Sequence, residues 1–236
     1  MKIRTLIPVY VLILGLVLVL TYLGGEMVTT MAEGEIPSGR TCMVIDAGHG
    51  GIDGGATSCS GVLESQINLQ IAKRLEAMVQ LLGYDTVMTR TTDTSIHTEG
   101  RSIAAQKVSD LKNRVALVDS TEGAILISIH QNTFPDPKYS GTQVFYATDP
   151  SSIGLAKLLQ ENCIRHLGQD NKRSCKPAKD IYLMEHIHRP GVLIECGFLS
   201  NPDEDRMLND PEYQKKLVAV IAGTLSVVTE EAPLRS

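Results

Sequence analysis

The chain contains no tryptophan and only three phenylalanines in 236 residues, with aromatics at 4% of the whole. That scarcity argues against a broad aromatic platform for carbohydrate. There is no excess of positive charge: 22 Lys and Arg face 27 Asp and Glu, a formal net charge of −5. The basic footprint of a nucleic-acid binder is therefore missing. The five cysteines form no C-x-x-C pair and do not fix a redox compartment. Cys42 and Cys196 lie in apolar runs and read as small buried residues. Cys163 and Cys175 could pair, though nothing in their spacing demands it. Internal repeats and low-complexity tracts are absent.

What is present begins with a long apolar run. Lys2 and Arg4 precede an apolar stretch from Leu6 to Leu23, interrupted only by Pro8. Positive residues before such a run mark an export signal. As a helix it would span about 27 Å, close to the hydrocarbon thickness of a bilayer. Thr30-Met31-Ala32 makes a poor cleavage site, so residues 1–25 read as a signal-anchor in preference to a cleaved signal peptide. The rest of the chain is then expected outside the cytoplasm, membrane-anchored or secreted. Residues 26–40, with Pro37, Ser38 and Gly39, read as a linker. About 200 residues remain, enough for a single core.

In that remainder, apolar strand-like runs alternate with helical periodicities. Strands are expected at Thr41–Asp46, Tyr84–Arg90, Ala124–His130, Gly141–Ala147 (near an edge), Ile181–Met184 and Val192–Glu195. Helices are expected at Glu64–Leu82, Arg101–Val118 and Ile153–Leu167, and from the Asp210-Pro211 cap through Val228. The alternation predicts a single three-layer α/β domain: a mostly parallel, mixed sheet of about six strands with helices on both faces.

Chemistry collects at the ends of these elements. Val44-Ile45-Asp46 runs into a glycine-rich loop, Ala47-Gly48-His49-Gly50-Gly51, whose backbone must turn tightly or approach something closely. The loop lacks the lysine of a phosphate loop and the spacing of a dinucleotide fingerprint. His49 follows the first strand, Glu64 opens the first helix, His130 closes the third strand and Glu195 closes the last. Strand ends are where open α/β sheets place ligands. Two histidines and one carboxylate with an open fourth position form a zinc set for hydrolysis. Spacing alone leaves open which glutamate is the ligand and which the base. A carboxylate between Ile194 and Cys196 is costly unless paired or functional, and burial lifts its pKa toward that of a general base. Glu64 at a helix start has a milder setting. Arg90 could bind a substrate carboxylate, whereas Arg114, on a helix, reads as structural. His186 and His188 would share one face of an extended strand, and a loop bordering a substrate groove is preferred to a second metal site.

Taken together, Asp46–Ala56, Leu63-Glu64, Met88-Thr89-Arg90, Leu111–Val115, Ser128–Asn132 and Pro190–Asn201 resemble the zinc N-acetylmuramoyl-L-alanine amidases of the Amidase_3 type. The resemblance runs from about Thr41 to Val228, so residues 41–230 are expected to be the catalytic domain. It implies that His49, Glu64 and His130 hold Zn²⁺ and that Glu195 is the catalytic carboxylate. Asn132, Arg90 and Gln131 are the expected substrate contacts. The implied substrate is peptidoglycan, cut between the lactyl group of N-acetylmuramic acid and L-alanine. The likeness is strongest to sporulation members of the family, which act with a deacetylase to form muramic δ-lactam in spore cortex. An activating protein partner is a further expectation. Ala47 replaces the commoner proline, and Gln131 a frequent alanine. The rival readings are a zinc carboxypeptidase acting on cell-wall peptides, using Arg90 for the terminal carboxylate, and a non-catalytic wall-binding module.

Overall fold

The computed structural model describes residues 41–231, with side chains through residue 228. The expected signal-anchor and linker lie outside the described residues. Among the described residues no helix is long and apolar enough to cross a membrane.

Six strands form one sheet: β1 (Cys42–Ala47), β2 (Asp85–Met88), β3 (Ala124–Asn132), β4 (Gln143–Tyr146), β5 (Lys176–Pro177) and β6 (Gly191–Phe198), in the order β2-β1-β3-β6-β4-β5. The first four positions in that order are mutually parallel, while β4 runs antiparallel to β6 and carries β5 parallel to itself. The sheet is thus mostly parallel and mixed, as the alternation predicts.

The helices are α1 (Glu64–Leu81), α2 (Ile103–Ser120), α3 (Ser152–His166), α4 (Tyr182–His186), α5 (Pro202–Leu208) and α6 (Pro211–Glu231). Ile67, Ile71, Leu75 and Val79 give α1 a fully buried stripe at helical spacing. It packs with α3 and α6 against Met43, Ile45, Ile125, Ile127 and Ile129. Each such side chain contributes roughly 1.5–3 kcal/mol by leaving water. Alternation along the strands sends Val44, Leu126 and Leu193 to the other face, where a smaller core forms with Leu183, Met184 and Ile187 of α4 and the segment after it.

The buried positions of α2 are not all apolar. Asp110, Arg114 and Val118, four apart, line its inner face. The expected strand at Ile181–Met184 is instead the single-turn helix α4. A three- or four-residue apolar run carries no reliable period, and here it packs as a cover on the sheet rather than as a strand within it. The edge strand β5 was not expected; two residues containing a proline leave almost no signal. All five cysteines are free thiols, so Cys163 and Cys175 do not pair.

Candidate metal centre and active site

The parallel register places His130 of β3 beside Glu195 of β6. Neighbours in register point to the same face, so the imidazole and the carboxyl group are adjacent from the moment the two strands pair. On the other side of His130 the β1 ladder continues one step, with Gly48 N donating to Ile129 O at 3.1 Å. Gly48 is required there: a Cβ on it would lie 2.2 Å from His130 Nε2. The missing side chain makes the space that the ring fills.

The loop then bends back. His49 has φ 62°, unusual outside glycine, followed by Gly50 at 132° and Gly51 at 60°. Paired backbone bonds between Gly50 and Asp53 close the turn and set Asp53 Oδ2 3.0 Å from His49 Nδ1. A carboxylate only accepts, so the neutral ring carries its proton on Nδ1 and its lone pair on Nε2. That Nε2 faces Glu64 Oε2 at 3.3 Å. From α2, Lys107 Nζ holds the other oxygen of Asp53 at 2.8 Å.

Glu64 is buried at the start of α1. Its Oε1 accepts from Asn68 Nδ2 at 3.2 Å and Gln131 N at 3.2 Å, and its Oε2 from Ala56 N at 2.9 Å. His130 Nδ1 lies 3.0 Å from Oε1. Burial alone would raise its pKa, but the two histidines hold it well below the usual carboxylate range. Conversely, burial would lower His49, yet Glu64 and Asp53 lift it to about 9. The pocket therefore draws positive charge. His49, Glu64 and His130 each offer a donor atom within 4.8 Å of the others, and the imidazole–carboxylate set has the chemistry of a divalent-cation site.

Glu195 is different. Its Oε2 is buried with no hydrogen-bond partner. Burial, with Glu64 adding to it and the two histidines opposing, pushes its pKa up to about 7. A pocket of about 270 Å³ opens beside His130 and Glu195, with Ile181, Leu183 and Leu193 in its wall and Lys107 at its margin.

The family described as N-acetylmuramoyl-L-alanine amidase, Amidase_3, matches residues 43–226. The chain belongs to this amidase family. It is 38% identical over 200 residues to the germination-specific N-acetylmuramoyl-L-alanine amidase of Bacillus subtilis, covering 84% of each chain. Its fold is similar to that of the CwlD amidase from Clostridioides difficile in complex with the GerS lipoprotein, with TM-score 0.78 and 36% identity over 82% of this chain and 100% of that one. An N-acetylmuramoyl-L-alanine amidase from Clostridium difficile 630 superimposes with TM-score 0.71 at 27% identity, over 83% of this chain and 100% of the other.

In this amidase, two of the expected substrate contacts are bonded within the protein. Arg90 is buried and donates to four carbonyls: Ala47 at 2.8 Å, Thr92 at 3.1 Å, Gly48 at 3.0 Å and Ser65 at 2.8 Å. Its guanidinium ties the loop that carries His49 to the end of β1 and the start of α1. Gln131 is also buried. Its side chain donates to Asn68 Oδ1 at 3.2 Å, next to Glu64. Asn132, at the end of β3, remains half-exposed at the rim.

Arg114 is structural, as read from its helix. It pairs with Asp46 and with Asp110 and donates to Ala47 O and His49 O. His186 and His188 do not share a strand face. His186 stacks on Tyr182, and His188 pairs with Asp119 at 2.8 Å. Sequence reasoning missed Asp53, Lys107 and Asn68. Only Asn68 had a local signal, one helical turn after Glu64. Asp53 and Lys107 meet only in the fold.

Proposed function

We propose that this chain is a zinc-dependent N-acetylmuramoyl-L-alanine amidase that hydrolyses the amide between the lactyl group of N-acetylmuramic acid and L-alanine in peptidoglycan. The observation that carries the reading is an unpartnered buried carboxylate, Glu195, in register with one member of a His–Glu–His donor set. His49, Glu64 and His130 would hold the ion. A zinc ion bound there would polarise the scissile carbonyl and acidify a water.

Glu195 takes the proton of that attacking water and returns it to the departing alanine nitrogen. A pKa of about 7 suits both transfers, since the group must accept and release a proton near neutrality. Asp53 fixes the tautomer and direction of His49. Arg90 and Arg114 hold the loop, and Asn132 contacts substrate at the rim. The products are a free lactyl carboxylate on the glycan and an intact stem peptide.

The germination-specific relative supports a place in spore cortex maturation, where the freed lactyl carboxylate would close a muramic δ-lactam once the sugar's amine is deacetylated. Residues 41–230 form the catalytic domain, held outside the cytoplasm by the N-terminal segment. The similar amidase solved with a lipoprotein supports an activating protein partner. The carboxypeptidase reading loses its support with Arg90, whose donors are bonded to backbone. The test is mass analysis of purified peptidoglycan after digestion, with zinc and after chelation. Stem peptides released with L-alanine at their N-terminus are expected only with metal; shortened peptides still attached to glycan would refute the assignment.

A further inference from the structure

Two of the three phenylalanines, Phe134 and Phe198, share one aromatic neighbour, Tyr139, beyond the His130–Glu195 pair. The ladder that pairs His130 with Glu195 goes on, past a register shift, to pair Asn132 with Phe198. Phe134 follows two residues later, its N–H donating to Ser200 Oγ at 3.0 Å. Its ring meets Tyr139 edge-to-face at 4.6 Å, and Tyr139 lies 6.3 Å from Phe198. Phe198 is 5% exposed and roots the cluster, whereas Phe134 is 47% and Tyr139 38% exposed. The connecting loop is tied down, because Asn201 Nδ2 donates to Pro137 O at 2.9 Å. Lys138 sits 5.5 Å from the Tyr139 ring centroid and Arg173 5.0 Å from that of Phe198. Lys138 is paired with Asp136 at 2.7 Å, and Arg173 faces Glu204, whose Oε2 accepts from Phe198 N at 2.7 Å, so both cations are balanced locally.

Exposed aromatics held rigid at a site's edge are costly unless something covers them. On the amidase reading, on which this inference rests, two branches leave the scissile amide, one peptide and one glycan. The 270 Å³ pocket includes neither Phe134 nor Tyr139 in its lining, so the ledge and the pocket are separate and can receive different branches. A sugar ring offers an apolar C–H face edged with hydroxyls, which suits a flat aromatic bordered by cations. We propose that Phe134 and Tyr139 form a glycan-strand subsite that stacks a sugar of the strand bearing the scissile amide. Composition argues against a broad platform; the fold gathers a narrow one.

The test uses the full chain and glycan strands stripped of peptide, which carry no scissile bond. Co-sedimentation or fluorescence titration should show binding by the wild type, at least about fivefold weakened in the Phe134→Ala/Tyr139→Ala double variant and restored by Phe134→Tyr with Tyr139 intact. The double variant should keep its secondary structure and its bound metal, since both rings are half-exposed. Equal binding by the double variant, or none by the wild type, overturns the proposal. Loss of self-association with strand binding intact would assign the ledge to a second copy and overturn it as well. Stem-peptide release by the wild type is measured in parallel. Without it the amidase reading itself fails; with it, unchanged strand binding defeats only the ledge.

Discussion

Arg90 and Arg114 donate to the same oxygen, the carbonyl of Ala47, from 2.8 Å and 3.0 Å. Two guanidiniums converge on one peptide group, and after burial it is Arg114 that most depresses Arg90's pKa. The arrangement holds because Asp46 and Asp110 pair with Arg114. It fixes both the end of β1 and the left-handed His49, whose carbonyl accepts from Arg114 at 2.8 Å. Arg114→Met would leave two buried carboxylates without their cation. Unfolding free energy should fall by about 3–5 kcal/mol, read from denaturant midpoints, and metal affinity should drop because His49 loses its restraint. Arg114→Lys should recover little, since an ammonium cannot span the same partners.

Glu195→Gln keeps the size and removes the base. The variant should bind metal as the wild type does, by equilibrium dialysis, while kcat on peptidoglycan falls at least about a hundredfold. Near-normal turnover would remove Glu195 from the mechanism.

Metal affinity should rise with pH. Glu64 and Asp53 hold a proton on His49 up to about 9, and a cation must displace it. Titration between pH 6 and pH 9 should show tightening throughout, with proton release on binding in weakly buffered solution. Chelation should abolish activity and zinc should restore it.

Asp46 makes the protein acid-sensitive. Burial opposes its ionisation, but Arg114, His130 and the hydroxyls of Ser128 and Thr89 bring its pKa down from 3.8 to about 2. A depressed folded-state pKa means stability that is complete above the unfolded value and lost as pH falls through the folded one. About 2 kcal/mol should therefore disappear between pH 4 and pH 2. Asp46→Asn should flatten that part of the stability–pH curve.

Gly48→Ala should act on a residue 82 positions away. The added methyl would collide with the His130 ring at 2.2 Å, turning a donor out of the site. Metal affinity should fall at least about tenfold, measured by competition with a chromophoric chelator, with far-UV circular dichroism unchanged.

The chain's own order of residues determines a good deal. Continuous apolar runs mark β1 and β3, which are buried on both faces, and a 3.6 period marks α1 and α6, which bury one stripe. His49, His130 and Glu195 each follow an apolar run and Glu64 opens a helix, so four separated polar residues were legible as candidates, although β3 and β6 run on past His130 and Glu195. The glycines of the loop announced a close approach before its object was known. What approaches, His130 against Gly48, depends on β3 pairing beside β1, and no local pattern encodes strand order. The same is true of the duties of Arg90 and Arg114. A lone arginine near a strand end looks alike whether it meets a ligand or a backbone carbonyl; burial decides, and burial belongs to the fold. The α4 turn, the Asp53–Lys107 support and the aromatic ledge arise likewise from contacts between residues distant in sequence, whose energies exist only once the sheet has brought them together.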